Sequence, residues 1–200
     1  MAKRLDRVRL SSRFGRAFAY ASRLHAAQTR KGTDTPYLAH LLGVASLVLE
    51  DGGSEDEAIA ALLHDAIEDH PRGGRTAREI RARFGTRVLR IVLGCTDATA
   101  HPKPPWRRRK LEHLKHLAMA PVEVRRVAAA DKLYNARAVL NDYRHLGERL
   151  WRRFTAGKKD QLWYYRSMVK VLKHGMRPGP LVRELERVVE ELESAVKRKR

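Results

Sequence analysis

The sequence predicts a compact, single-domain, all-α fold, and three observations support this prediction. Apolar residues recur three and four positions apart along most of the 200 residues. Segments with this period begin after capping patterns or prolines and end at loops or glycines. No two alternating segments are joined by a hairpin turn, so we expect no β-sheet. With 43% hydrophobic residues, a chain of this length can bury one sizeable core.

Four helices are predicted in the N-terminal half of the chain. They cover residues 14–29, 37–50, 54–69 and 76–84. A capping box, in which Ser or Thr is followed three residues later by Glu, marks two of the starts. It consists of Ser54 and Glu57 in the third helix, and of Thr76 and Glu79 in the fourth.

Five further helices complete the predicted fold. They cover residues 86–95, 106–118, 121–140, 160–174 and 181–197, and a loop occupies residues 98–105. The last helix spaces its apolar residues by fours and threes, at Leu181, Leu185, Val188, Leu192 and Ala195. Such a stripe fits a coiled-coil seam for a partner. Because the repeat is short, an amphipathic helix that covers the core is the simpler interpretation.

Composition restricts the class of protein. The net charge is +19, from 42 basic and 23 acidic residues, and such a field attracts nucleotides, nucleic acid or acidic membranes. General arginine enrichment without a single partner explains the charge equally well. Cys95 is the only cysteine, which excludes an internal disulfide and fits a reducing cytoplasm. No apolar run approaches the length of a membrane span, so we expect no membrane association through such a span.

A cluster of polar residues follows an apolar run in the third predicted helix. His64 and Asp65 come directly after the sequence AALL. Glu68 lies one helical turn beyond His64, and Asp69 one turn beyond Asp65. Burying so many polar groups is costly unless they have a partner, and a metal ion is a common partner for these residue types.

Two other segments offer similar groups. Asp131 follows the apolar run VAAA, with Asn135 one turn later, and His40 lies upstream. Two imidazoles and two carboxylates suit Mn²⁺, Fe²⁺ or Zn²⁺. Taken singly, each residue has a structural alternative: His40 as a core or capping histidine, Asp131 paired with Lys132, and Asp69 as a cap. Together, three helices with polar groups on apolar faces favour a metal site.

Three motifs carry a resemblance to a known family. They are RKGTDTPYLAH at residues 30–40, HDAIED at 64–69 and ADKLYN at 130–135. In this order they resemble the HD metal-dependent phosphohydrolase superfamily, and specifically the hydrolase domain of RelA/SpoT proteins and the small alarmone hydrolases similar to metazoan SpoT homologues. The resemblance spans about residues 14–165 and implies a helical HD-domain fold. We therefore divide the chain into a basic segment 1–13, an HD hydrolase domain 14–175, and a C-terminal amphipathic helix with a basic tail 176–200.

The resemblance also implies an activity and a role for each motif residue. The activity is metal-dependent hydrolysis of the 3′-pyrophosphate of (p)ppGpp, which releases pyrophosphate and GDP or GTP. The implied ligands of one divalent ion, usually Mn²⁺ in this family, are His40, His64, Asp65 and Asp131. Glu68 and Asp69 resemble the acid/base pair that activates water, and Asn135 resembles a group that orients substrate and water. Arg30 and Lys31 match a basic pair that binds substrate phosphates.

Two other functions fit the same residues. No determinant for a guanine base is evident, so the substrate of the HD site is open between (p)ppGpp and another nucleotide, such as NADPH or a nucleoside phosphate. The basic run RRRK at 107–110 fits a basic RNA-binding protein with a vestigial site, or non-specific nucleic-acid contact beside catalysis. His113 and His116 fit either a dinuclear multi-histidine site or the protein surface, and their neighbours Glu112 and Lys115 favour the surface. A homo-oligomer is compatible with the sequence.

Overall fold

The computed structural model describes residues 8–68, 73–97, 104–174 and 179–198. Within these ranges the chain forms α-helices, one 3₁₀ helix and no strand, which confirms the predicted all-α class. The helices are α1 Ser12–Leu24, α2 Leu38–Glu50, α3 Glu55–Leu63, α4 Gly73–Phe84, α5 Thr86–Cys95, α6 Trp106–Ala118, α7 Val122–Leu146, α8 Lys158–Lys173 and α9 Pro180–Arg198. The 3₁₀ helix is Gly147–Arg153. The predictions for Asp69 and for residues 98–103 of the loop lie outside the described residues.

Helix α1 ends five residues earlier than predicted, because the chain turns at His25. The following loop is held by a bridge between Thr29 and Pro36. Inside this loop the N–H of Arg30 donates to the carbonyl of Thr35 at 2.8 Å. These backbone hydrogen bonds therefore fix the conformation of the loop around Arg30, immediately upstream of α2.

Helix α3 starts as predicted and ends earlier than predicted. Ser54 caps its N-terminus, and Glu57 completes the capping box. The helix stops at Leu63, and residues 64–68 form a succession of turns. Because the N–H of Ala66 bonds back three residues to Leu63, the HD motif lies on a tight turn at the end of the helix.

The second predicted capping box is wrong. Helix α4 begins at Gly73, so Thr76 lies inside it and is buried. The carboxylate of Glu79 accepts from the hydroxyl of Tyr20 at 2.9 Å and from Nε of Arg75 at 2.9 Å. Glu79 thus joins α1 to α4.

The long helix α7 lies at the centre of the packing, in contact with α2, α3, α5, α8 and α9. It continues six residues beyond the predicted end and buries Tyr143 in this extension. The apolar stripe of α9 faces α7 and α8 of the same chain. This packing fits the interpretation of α9 as a helix that covers the core.

One close contact sets the distance between α2 and α7. Gly43 of α2 faces the ring of Tyr134, and a Cβ at this position would overlap the ring. Ala129 and Ala130 of α7 are fully buried, and small side chains there allow helices to approach closely. This approach brings His40 and Asp131 to the same place in the core. No helix in the described ranges is long and apolar enough to cross a membrane.

Candidate metal centre

Four side chains from three parts of the chain meet between α2, α3 and α7. His40 lies in the first turn of α2, and His64 is the C-cap of α3. Asp65 lies in the turn that follows, and Asp131 lies in the middle of α7. Both histidines are almost fully buried. The helical packing therefore assembles the four residues that the sequence predicted as one site.

The distances between the donor atoms are short. Nε2 of His40 lies 3.3 Å from Nε2 of His64. Oδ1 of Asp131 lies 3.3 Å from Nε2 of His40 and 3.7 Å from Nε2 of His64. Oδ2 of Asp65 lies 2.9 Å from Nε2 of His64 and 3.7 Å from Nε2 of His40. Both imidazoles thus direct the same nitrogen towards both carboxylates.

The imidazole of His64 is oriented as a metal ligand would be. Its Nδ1 lies 2.8 Å from the carbonyl oxygen of Ala61, so Nδ1–H donates there and Nε2 faces the cluster. Histidines that bind metals usually have such a partner on the other nitrogen. His40, His64 and Asp65 offer one donor atom each, all within 4.8 Å of one another. Two nitrogens and carboxylate oxygens suit a divalent metal ion.

The electrostatics of the cluster favour a cation. Burial raises the pKa of Asp65 and of Asp131, but the charges of His64 and Lys132 outweigh it and hold both values well below the usual range. Burial lowers the pKa of His64, but the charge of Asp65 raises it well above the usual value. The carboxylates are therefore ionised at neutral pH, and their field attracts positive charge.

Each carboxylate also has a partner outside the cluster. The hydroxyl of Tyr37 donates to Oδ2 of Asp65 at 2.5 Å. Nζ of Lys132 donates to Oδ2 of Asp131 at 2.6 Å, and Nδ2 of Asn135 donates to Oδ1 of Asp131 at 2.6 Å. The pairing of Asp131 with Lys132 therefore coexists with the contacts between Asp131 and the imidazoles.

A pocket of about 490 Å³ opens beside the cluster, and its lining includes Tyr37, Lys132 and Asn135, the side chains that bond Asp65 and Asp131. The cationic residues that line this pocket are Arg30, Lys31, Lys110, Lys132 and Arg153. The aromatic residues that line it are Tyr37, Trp106, Tyr134, Phe154, Tyr164 and Tyr165. The pocket therefore offers positive charge and flat apolar surfaces together, which suits a phosphorylated aromatic compound.

The structure places the predicted phosphate-binding pair in this pocket. Nη2 of Arg30 donates to Oδ1 of Asn135 at 2.8 Å, and its guanidinium lies over the rings of Tyr37 and Tyr134 at 5.9 and 5.7 Å. Lys31 is exposed and lines the same pocket. Arg30 is thus held in place, and Lys31 is free to reach solvent anions.

Glu68 is directed towards α5 and α6. Its Oε2 accepts from the N–H of Asp97 at 3.0 Å, and its Oε1 lies 3.9 Å from Nη1 of Arg109. Oδ2 of Asp97 also bonds Nη1 of Arg109 at 2.6 Å and Nζ of Lys110 at 2.5 Å. Asp69, its predicted partner, lies outside the described residues.

The prediction that His113 is a surface residue is wrong. His113 is 6% exposed, and burial together with the charge of Lys132 lowers its pKa to about 4. His116 is exposed, as expected. Glu112 and Lys115 suggested a surface for both histidines, but α6 turns the side with Lys110 and His113 inwards.

Sequence reasoning assigned no role at the HD site to Tyr37, Lys110 or Lys132, which the structure brings to the pocket. A signal existed for Tyr37, since it precedes His40 by three residues and side chains at this spacing share one helix face. Lys132 had the same kind of signal as the neighbour of Asp131. Lys110 had none, because it stands in a run of four basic residues.

Residues 17–161, more than half of the chain, match the HD domain family. This chain belongs to that family. For this HD domain protein, the resemblance that the three motifs suggested is confirmed. Family membership agrees with a divalent metal site built from histidine and aspartate at the observed cluster.

Curated relatives of the HD domain protein carry the name guanosine-3′,5′-bis(diphosphate) 3′-pyrophosphohydrolase. MESH1 of Xenopus tropicalis is 40% identical over 121 residues, which cover 59% of this chain and 64% of that protein. MESH1 of Homo sapiens is 37% identical over the same length. The protein from Aquifex aeolicus is 36% identical over 127 residues, which cover 62% of this chain and 17% of that protein. The matched segment thus spans less than two thirds of the length of these relatives.

Two solved structures share the helical architecture. The crystal structure of lmo0812 from Listeria monocytogenes has a TM-score of 0.67 and 30% identity, covering 76% of this chain and 96% of that one. A metazoan orthologue of SpoT, described as hydrolysing ppGpp, has a TM-score of 0.74 and covers 92% of this chain and 97% of that one. Its identity is 22%, so this similarity shows the shared fold.

Proposed function

We propose that this HD domain protein hydrolyses the 3′-pyrophosphate of (p)ppGpp and releases pyrophosphate with GDP or GTP. One observation carries the proposal: His40, His64, Asp65 and Asp131 converge directly beside a cationic pocket with aromatic walls. The names of the curated relatives support the same substrate. A cytoplasmic site of action is part of the proposal, and the single Cys95 fits it.

The cluster of His40, His64, Asp65 and Asp131 is proposed to bind one divalent ion, with Mn²⁺ as the expected metal. When bound, such an ion neutralises charge on a phosphoryl oxygen and makes water more acidic. Lys132 and Asn135 hold the carboxylate of Asp131 in one orientation. These two hydrogen bonds keep Oδ1 of Asp131 directed towards His40 and His64.

The remaining residues are proposed to act on the substrate and the attacking water. Arg30 and Lys31 bind the phosphates, because a guanidinium donates two parallel hydrogen bonds and an ammonium adds a compact charge. Glu68, with Asp69, accepts the proton of the water, which adds across the bond between the ribose 3′ oxygen and its phosphorus. Asn135 bonds both Arg30 and Asp131, so it aligns the phosphate-binding loop with the metal ligands.

Product analysis tests this function. We expect the purified chain with Mn²⁺ to convert ppGpp into GDP and pyrophosphate, separated by ion-exchange chromatography. The variant Asp65→Ala should form neither product, whereas His116→Ala, altered at an exposed residue, should match the wild type. Intact ppGpp after incubation of well-folded wild-type protein with Mn²⁺ would overturn the proposal.

The same assay separates the alternatives. The sequence offers no evident determinant for a guanine base, so NADPH and nucleoside triphosphates are incubated beside ppGpp and pppGpp. Faster turnover of NADPH would assign the HD site to that substrate. Salt-dependent RNA binding without any hydrolysis would favour the RNA-binding alternative that the net charge of +19 suggests. Light scattering on the same sample tests whether the chain forms the homo-oligomer with which its sequence is compatible.

A further inference from the structure

The phenol of Tyr37 contacts the candidate metal centre from outside. Tyr37 immediately precedes α2, three residues before His40. Its hydroxyl donates to Oδ2 of Asp65 at 2.5 Å, although the two residues are 28 positions apart. Tyr37 also lines the pocket. It therefore connects the N-terminus of α2 with the turn that carries the HD motif.

The hydrogen bond is accepted by the carboxylate oxygen of Asp65 that faces the two imidazoles. Oδ2 of Asp65 is the atom that lies 2.9 Å from Nε2 of His64. A carboxylate oxygen has two lone-pair directions. When the phenol uses one of them, the other would remain available to a bound cation. Asp65 stands on a turn and not within a helix, and the phenol of Tyr37 bonds one of its two carboxylate oxygens.

The ring of Tyr37 is itself supported on two sides. His25 stacks on it with a centroid distance of 5.3 Å and an interplanar angle of 26°. His25 is 5% exposed, and its Nδ1 lies 2.6 Å from Oε1 of Gln28. The ring of His40 meets Tyr37 edge-on at 5.4 Å. The hydroxyl therefore has a fixed place from which to donate.

We infer that Tyr37 is a positioning residue of the metal centre, whose hydroxyl fixes Asp65 with Oδ2 towards the two imidazoles, and that His25 holds Tyr37 in place. The inference rests on the proposed assignment of Asp65 as a ligand. Partners of this kind orient metal ligands, and their loss weakens metal binding by about 10- to 100-fold. Neither residue needs to touch the substrate for this role.

Calorimetric titration of the metal-stripped, full-length chain with Mn²⁺ alone tests the inference. We expect Tyr37→Phe, which keeps the ring and removes the hydroxyl, to weaken Mn²⁺ binding by about 10-fold or more. The matched control is Tyr134→Phe, because Tyr134 also meets His40 edge-on, at 5.0 Å, but the hydrogen bond to Asp65 comes from Tyr37. Wild-type affinity for Mn²⁺ in folded Tyr37→Phe, or an equal loss in both variants, would overturn it.

A second pair of variants tests the support from His25. His25→Phe retains a flat ring and should keep Mn²⁺ affinity near that of the wild type, whereas His25→Ala should lose part of it. Circular dichroism confirms that each variant is folded. Equal affinities in both variants would remove His25 from the inference. The titration contains no nucleotide, so it tests the inference separately from the proposed function. If the wild-type chain binds Mn²⁺ but does not hydrolyse ppGpp, only the proposed function is overturned.

Discussion

Nη2 of Arg30 donates a 2.8 Å hydrogen bond to Oδ1 of Asn135, and the two residues lie 105 positions apart. The same amide donates through Nδ2 to Asp131. One side chain on α7 therefore links the loop before α2 to a carboxylate of the candidate metal centre. Phosphate binding and metal binding are expected to depend on each other through this link.

The geometry of Arg30 makes its replacement by lysine informative. We expect Arg30→Lys to raise the KM for ppGpp about tenfold, because an ammonium cannot bond Asn135 and donate two parallel hydrogen bonds to a phosphate. Steady-state kinetics at fixed salt measure this change. Arg152→Lys, at an exposed position of the 3₁₀ helix, is the charge-matched control. An unchanged KM in Arg30→Lys would contradict the role of Arg30 in binding.

Removal of one imidazole should separate metal binding from folding. We expect His64→Ala to lose Mn²⁺ affinity by on the order of 100-fold or more, because the loss of a ligand costs at least as much as the loss of its outer partner. The helical circular dichroism spectrum should persist. Calorimetry with Mn²⁺ measures the affinity, and His116→Ala serves as the control. Retained affinity in His64→Ala would mean that the ion binds elsewhere.

Two glycines in helices predict opposite effects of the same substitution. A Cβ at Gly43 would overlap the ring of Tyr134, so Gly43→Ala should lower the free energy of unfolding by roughly 1–3 kcal/mol. At Gly15 of α1 no atom lies within 4 Å of an added Cβ, and Gly15→Ala should raise it by about 0.5–1 kcal/mol. Urea unfolding measures both. Equal effects would contradict the close contact between α2 and α7.

The capping box of α3 predicts a pH-dependent contribution to stability. Burial raises the pKa of Glu57, but hydrogen bonds from Ser54 and the charge of Arg126 outweigh it and lower the pKa below its usual value of 4.5. Since the folded-state pKa is the lower one, the stabilisation is complete above pH 4.5 and is lost as the pH falls through the folded-state value.

Glu57→Gln tests this contribution, because glutamine preserves the capping box and removes the charge. We expect the variant to be less stable than the wild type by roughly 1–3 kcal/mol at pH 7. The difference should shrink in acid, where the wild-type carboxyl becomes neutral as well. Urea unfolding at several pH values measures it, with the exposed Glu190→Gln as control. A difference that stays constant with pH would contradict the charge-based explanation.

The sequence predicted the helices best where local signals and packing agree. Helices α5 and α6 begin and end at the predicted residues, since glycine and proline mark their starts. The pattern around Thr76 and Glu79 was misleading, because Tyr20 and Arg75 bind the glutamate and the helix begins earlier. A capping box is a local pattern, and a tertiary contact can use the same residues.

The convergence of the metal centre was predictable from its motifs, but its supports were not. His64 and Asp65 were expected on a helix and lie on its C-cap and the following turn. This change allows Asp65 to meet the hydroxyl of Tyr37. Likewise, the burial of His113 depends on which side of α6 faces the core, and its charged neighbours did not indicate that side.

The separation of the donors along the chain has a consequence for biosynthesis. His40, His64 and Asp65 leave the ribosome well before Asp131, which lies in the middle of α7. Because α7 also forms the centre of the packing, the nascent chain lacks both the fourth donor and the surface against which the others are arranged. We therefore expect the proposed ion to bind late in the life of this polypeptide, together with the docking of α7.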